Sequence, residues 1–169
     1  MNSQLLILDF GSQYTQLIAR TVRELGVYCE ILPGTVKPDV VLGKKPKALI
    51  LSGSPASVRV EGAPMVHPDI LHMGVPIFGI CYGMQLLARE FGGVVSGWGR
   101  DGTSEAQSGA NGDGMREFGP AQVRIENPIG PFGFVKRDEA ISVWMSHGDK
   151  VTKCPEGFVG CAQSDGSPI

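Results

Sequence analysis

Long apolar runs are missing from this 169-residue sequence; none approaches the roughly 18–20 residues of a membrane-spanning helix. A surplus of one charge is missing too. The formal net charge of −2 offers no electrostatic case for nucleic acid or an anionic membrane as partner. Met1-Asn2-Ser3-Gln4 leads straight into a strand-like run, without the basic region of a signal peptide, so the expected location is the cytoplasm. Paired cysteines are absent as well. The four thiols, at positions 29, 81, 154 and 161, form no CxxC and no metal-ligand spacing, which excludes a zinc or disulfide framework. No G-x-x-x-x-G-K-S/T phosphate loop occurs, so ATP chemistry is not expected in this chain. What is present is 42% hydrophobic and 19% charged residues, the balance of a globular domain able to bury a core.

The apolar pattern sets the fold expectation. Leu5-Leu6-Ile7-Leu8 suits a strand buried on both faces. Tyr14, Leu17, Ile18, Val22 and Leu25 then fall at helical spacing, and Gly26 stands where that helix would stop. Val27 to Leu32, Ala48 to Leu51 and Val75 to Ile80 read as further strands, and Met84, Leu87, Ala88 and Phe91 as one face of a further helix. This alternation predicts a flavodoxin-like, doubly wound, mainly parallel α/β sheet with helices on both faces. Strand candidates at Ala121–Glu126, Ala140–Met145 and Gly157–Ala162 are expected to extend the sheet with some antiparallel pairing. Gly97–Gly114 is aperiodic and rich in Gly, Ser, Asn and Asp, as in a long surface loop. The closing Asp165-Gly166-Ser167-Pro168-Ile169 is a turn signal followed by one apolar residue. The expectation is therefore a single domain, residues 1–169, that is incomplete at its C-terminal end.

The chemistry concentrates at Gly79-Ile80-Cys81-Tyr82-Gly83, between a predicted strand and a predicted helix. This is a G-x-nucleophile-x-G elbow carrying a thiol. The glycines leave room for a sharp turn, and the N-terminus of the following helix favours a thiolate. The N–H of Tyr82 is placed to stabilise an oxyanion at an attacked carbonyl. The alternative is a buried cysteine acting as a small hydrophobe.

Gly79-Ile80-Cys81-Tyr82-Gly83-Met84-Gln85 resembles the nucleophile motif of class I glutamine amidotransferases. Leu8-Asp9-Phe10-Gly11-Ser12-Gln13-Tyr14-Thr15-Gln16, Ile50-Leu51-Ser52-Gly53-Ser54-Pro55, Arg116-Glu117-Phe118-Gly119 and the stretch from Val143 to Val151 resemble the GMP synthase branch of that family in particular. The resemblance implies that Cys81 attacks the side-chain amide of glutamine and forms a glutamyl thioester that water hydrolyses to glutamate. It also implies that backbone N–H groups at Tyr82 and in the Gly53-Ser54 loop hold the oxyanion. Gln85 matches a residue near bound glutamine, and Ser146-His147-Gly148 match a segment that receives the amino-acid end of the substrate. The implied partner is an ATP-dependent synthetase domain or subunit that converts XMP to GMP with the released ammonia. ATP and Mg would bind there, with no cofactor in this chain.

Two features depart from the family pattern. Ser54 stands where a second glycine is usual, and it would be strained if that position needs a positive φ. The family's His-Pro-Glu motif, which supplies the base and its orienting acid, does not occur, so the triad cannot be completed within these residues and the chain alone is expected to be inactive. His67-Pro68-Asp69 precedes Cys81 and reads, with His72, as turn and surface residues. His147, the only histidine after Cys81, fits a structural role in its turn better than that of a base. Gly97-Trp98-Gly99-Arg100-Asp101-Gly102 matches GxGxxG literally but lacks a following helix. Cys29, Cys154 and Cys161 read as ordinary buried or half-buried thiols. The alternatives to a glutaminase are a docking or regulatory domain, a related thiol amidohydrolase on the same fold, and a flavodoxin-like binding module.

Overall fold

A computed structural model describes residues 4–97 and 117–169. The chain divides into two compact units, Met1–Glu90 and Phe91–Ile169.

The first unit is an alternating α/β layer. Its strands are β1 (Leu5–Asp9), β2 (Cys29–Pro33), β3 (Ala48–Leu51) and β4 (Ile77–Gly79). They are parallel throughout, in the order β2-β1-β3-β4. The chain runs from β1 outward to β2 and then returns past β1 to β3. The winding therefore reverses between β1 and β3, and the carboxyl ends of these strands open the crevice where doubly wound sheets place ligands. Burial on both faces explains the unbroken apolar runs. Ile7 and Ile50 face α1 (Thr15–Glu24) and join a cluster with Ala19 and Cys29. Leu6, Leu8, Leu49 and Leu51 alternate to the opposite face and are just as buried.

Helix α1 stops at Gly26, as its sequence predicts, and the reason is visible. Gly26 takes φ +79°, its N–H donates to the Arg23 carbonyl at 2.9 Å, and the Val27 N–H reaches back to Val22 at 3.2 Å. This paired closure satisfies two end-of-helix carbonyls and needs a residue without a Cβ. Helices α2 (Pro38–Lys44) and α3 (Pro68–Leu71) both start with proline at the first helical position. The His67-Pro68-Asp69 segment, expected as turn, is the start of α3. His67 caps it, with Nδ1 accepting from the Asp69 N–H at 3.3 Å, and the imidazole is exposed. Helix α4 (Tyr82–Glu90) follows β4 after two residues.

The second unit is antiparallel. Strands β5 (Val94–Gly97) and β8 (Asp149–Lys153) pair with each other. A separate three-stranded sheet has the order β7-β6-β9, from β6 (Glu117–Ile125), β7 (Ala140–His147) and β9 (Ala162–Gln163). The expectation that these strands extend the parallel sheet is corrected here. Among the described residues they form their own sheets, because the β6–β7 hairpin buries Val123, Ile125 and Val135 against Ile141, Val143 and Met145. Gly157–Ala162 is a strand only at its end. The Cys161 carbonyl accepts from Glu126 and Asn127, and Asn127 Nδ2 donates to the Gly160 carbonyl at 2.7 Å, an irregular lacing in place of a ladder. Most of the predicted Gly97–Gly114 loop, and Trp98 to Gly102 of the GxGxxG match, lie outside the described residues.

Candidate active site

Three loops at the carboxyl ends of β1, β3 and β4 build the site. The turn after β4 is set by sterics. Cys81 has φ +49°, in the left-handed region that non-glycine residues rarely occupy. It is held there from both sides: the Ile80 N–H donates to the Leu51 carbonyl at 2.9 Å, and the Gly83 N–H donates to the Ile80 carbonyl at 2.9 Å. The flanking glycines are required for space. A Cβ on Gly79 would lie 2.5 Å from the Met84 nitrogen, and one on Gly83 would lie 2.3 Å from the Leu51 carbonyl oxygen. A strained backbone of this kind costs about 1–3 kcal/mol and persists where the surroundings enforce it. The elbow read from the glycine spacing is thus the elbow that forms.

Cys81 is half-buried, and burial pushes its thiol above the ordinary cysteine value. This opposes the helix N-terminus, whose dipole favours the thiolate. Burial thus works against the thiolate, and attack on a carbonyl calls for a group that takes the thiol proton. Tyr82, the first residue of α4, turns its ring into the core rather than toward the site. It is buried, packs against Phe10 with ring centroids 5.6 Å apart and planes tilted by 41°, and its hydroxyl donates to the Pro64 carbonyl at 2.7 Å. Burial raises its phenol as well, partly offset by the nearby Arg89. What Tyr82 presents at the elbow is its N–H, which a first helical residue leaves without an intrahelical acceptor.

The loop after β3 faces the elbow. A Cβ placed on Gly53 would come within 3.9 Å of Cys81 Cβ and 3.5 Å of Ser12 Oγ. Neither Gly53 nor Ser54 has a left-handed φ, so the strain expected from a serine at the second position does not arise. Ser54 Oγ instead accepts from the Ala56 N–H at 3.1 Å, closing a local turn. Among the described residues no acceptor takes the N–H of Ser54 or of Tyr82. Gln85 follows one helical turn after Cys81, donating its N–H to the Cys81 carbonyl at 3.0 Å, and is 4% exposed.

The first unit thus brings together Cys81, Tyr82, Gly53, Ser54 and Gln85. Ser146, His147 and Gly148 belong to the second unit, at the end of β7 and the turn into β8, where Ser146 pairs with Phe118 and is exposed. A polar cleft of about 250 Å³ in that unit, bordered by Gln122, Arg124, Asp138, Gln163 and Asp165, contains none of the predicted site residues. No group of three or more His, Cys, Asp or Glu side chains among the described residues is arranged to hold a metal. No described helix is long and apolar enough to cross a membrane.

Sequence reasoning missed the role of Asp9, Thr15 and Ser52. Asp9 Oδ1 accepts from the Gly11 N–H at 3.0 Å and from Thr15 Oγ1 at 2.7 Å, and lies 3.4 Å from Ser52 Oγ. Ser52 Oγ also accepts from the Phe10 N–H at 3.0 Å. An aspartate at a strand end just before a helix was the available signal.

A left-handed cysteine at the carboxyl edge of a doubly wound sheet, beside amide N–H groups that no described acceptor takes, defines an α/β protein with a thiol elbow. Over residues 6–169 the chain matches the class-I glutamine amidotransferase family, and it belongs to that family. It is 48% identical over 165 residues to a protein of Chlorobium luteolum named GMP synthase (glutamine-hydrolyzing), covering 97% of this chain and 29% of that protein. The Corynebacterium jeikeium protein of the same name is 43% identical over 164 residues, covering 97% of this chain and 28% of that protein. The chain therefore spans less than a third of the length of these relatives. Among solved structures, a Thermoplasma acidophilum protein described as a candidate GMP synthase subunit superposes with a TM-score of 0.76 at 27% identity. That match covers 96% of this chain and 73% of the other.

Proposed function

We propose that this chain is the glutamine-hydrolysing part of a GMP synthase. Cys81, once deprotonated, attacks the carboxamide carbon of glutamine. The C–N bond breaks as the leaving nitrogen takes up the proton lost by the thiol and departs as ammonia, and water cleaves the resulting γ-glutamyl thioester to glutamate and the free thiol. The N–H of Tyr82 and the Gly53-Ser54 loop stabilise the negative oxygen of each tetrahedral intermediate. Gln85, Ser146, His147 and Gly148 bind the substrate. The observation that carries this reading is the left-handed Cys81 facing the Gly53-Ser54 loop. Ammonia passes to an ATP-dependent synthetase domain or subunit that converts XMP to GMP, where ATP and Mg bind. The similarity to GMP synthases much longer than this chain supports that partner. Four free thiols suit the reducing cytoplasm.

A docking or regulatory domain without turnover is a second reading. Burial of the Cys81 thiol, which raises it above the ordinary cysteine value, favours it. One experiment separates the two. The synthetase part of a curated relative is supplied with XMP, ATP and Mg, and GMP formation is followed with ammonium or with glutamine as nitrogen source. Adding this chain, joined to the remaining amidotransferase residues of the same relative that carry its His-Pro-Glu motif, should allow glutamine to replace ammonium, and Cys81→Ala should abolish that replacement while ammonium still works. Glutamine use that survives Cys81→Ala would sink the thiol mechanism, and no glutamine use with the wild type would assign the chain to docking.

A further inference from the structure

We propose that Ser52, held by the Phe10 N–H and left its proton by an Asp9 that Thr15 occupies, is a positioning residue that aims the Ser54 N–H at the oxyanion. This rests on reading Cys81 as the nucleophile.

The argument is one of peptide geometry. A trans peptide directs its C=O and its N–H to opposite sides, so fixing one fixes the other. The Gly53 carbonyl and the Ser54 N–H belong to one peptide unit. Ser52 Oγ donates to the Gly53 carbonyl at 2.9 Å, which draws that oxygen back toward β1. The Ser54 N–H is thereby turned outward, and no described acceptor takes it. The same loop lies against Cys81, since a Cβ on Gly53 would stand 3.9 Å from Cys81 Cβ. A preorganised donor of this kind stabilises the transition state without reorganising during the reaction.

The hydroxyl has one proton, and its other contacts settle where that proton goes. Ser52 Oγ already accepts from the Phe10 N–H at 3.0 Å, which orients its remaining lone pair and its proton. Asp9 Oδ1 is the competing acceptor, at a longer 3.4 Å. That oxygen is occupied by the Gly11 N–H and by Thr15 Oγ1, the latter at 2.7 Å. With its lone pairs engaged there, Asp9 leaves the Ser52 proton to the Gly53 carbonyl. Ser52 is 0% and Thr15 2% exposed, so water cannot replace either contact. Three segments, the end of β1, the start of α1 and the end of β3, are joined in this way to set the direction of one N–H.

The test compares two alkylations of Cys81, read by intact mass and peptide mapping. A chloromethyl ketone analogue of glutamine passes through a tetrahedral oxyanion before its C–S bond replaces C–Cl. Iodoacetamide forms its C–S bond by direct displacement of iodide and develops no oxyanion. The ratio of the two rates isolates the oxyanion donor from thiol access and thiol ionisation. Ser52→Ala is expected to lower that ratio about tenfold or more, in line with the loss or misalignment of one such donor. Thr15→Val should lower it about threefold, and Thr15→Ser should restore it, the smaller effect reflecting action at second hand. A ratio unchanged within about twofold in Ser52→Ala, or in Thr15→Val should Ser52→Ala not fold, overturns the proposal. If the wild type reacts at Cys81 with iodoacetamide but not with the chloroketone, the glutaminase reading itself fails and takes this proposal with it.

Discussion

Gly83→Ala perturbs the site with a single methyl group, and its magnitude follows from the elbow. The added Cβ would stand 2.3 Å from the Leu51 carbonyl oxygen, 2.7 Å from Leu51 Cβ and 2.8 Å from the Leu51 carbonyl carbon. Two of these are main-chain atoms of a central strand, bonded through the Ile80 N–H to the elbow itself, so no side chain can swing aside to relieve them. Overpacking a tight interior costs about 1–3 kcal/mol, and contacts this short put the substitution at the upper end. Set against a typical domain stability of about 5–15 kcal/mol, that is a large fraction. Gly43→Ala is the matched control. It lies in the last turn of α2, nothing stands within 4 Å of the new Cβ, and alanine should stabilise by roughly 0.5 kcal/mol through helix propensity. Urea unfolding at constant m measures both changes as shifts in midpoint. A Gly83→Ala midpoint within error of wild type, or a Gly43→Ala loss of equal size, would refute the steric account of the elbow.

Other predictions follow from the same geometry. Because burial raises the Cys81 thiol, its iodoacetamide reaction should be slower at pH 7.5 than that of an exposed cysteine and should still be climbing above the ordinary thiol pKa of about 8.5; a plateau below that value would contradict it. The linked stability has a definite sign: the native state holds this proton longer than the unfolded chain, so stability falls as pH rises through the ordinary thiol pKa and on to the raised one. Cys81→Ala should flatten that part of the profile. Tyr82→Phe keeps the ring on Phe10 but removes the donor to the Pro64 carbonyl, at a cost of about 0.5–1.5 kcal/mol in urea unfolding. Ser54→Gly should leave the chloroketone rate at Cys81 within about twofold, since the position needs no left-handed φ; a large gain would show that the serine strains the loop.

The parallel half of the fold was legible because its strands are buried on both faces. Leu5 to Leu8 and Ala48 to Leu51 carry no polar residue, and the observed β1 and β3 fall on them to within a residue. Helix α1 was legible from its stripe and from Gly26. Helix α2 was not, since only Val41 is buried while Val40 and Leu42 are exposed, which leaves no periodic face to detect. Strand β8 hid behind Asp149, Lys150 and Lys153, with Val151 its one buried residue. The elbow could be read because steric need dictates its glycines at fixed spacing. The Asp9–Thr15–Ser52 network could not, because it joins residues up to 43 positions apart and depends on strand order. Burial of the Cys81 sulfur, which works against the dipole's preference for the thiolate, is a tertiary quantity that the local sequence does not carry.

The central claim is that Cys81, among four free thiols, is the nucleophile that attacks glutamine. It is tested most directly by treating the chain with an electrophilic glutamine analogue, with and without excess glutamine, and mapping the adduct. The account predicts one adduct, on Cys81, suppressed by glutamine and not by asparagine. Modification spread over Cys29, Cys154 and Cys161, or an adduct on Cys81 indifferent to glutamine, would contradict it.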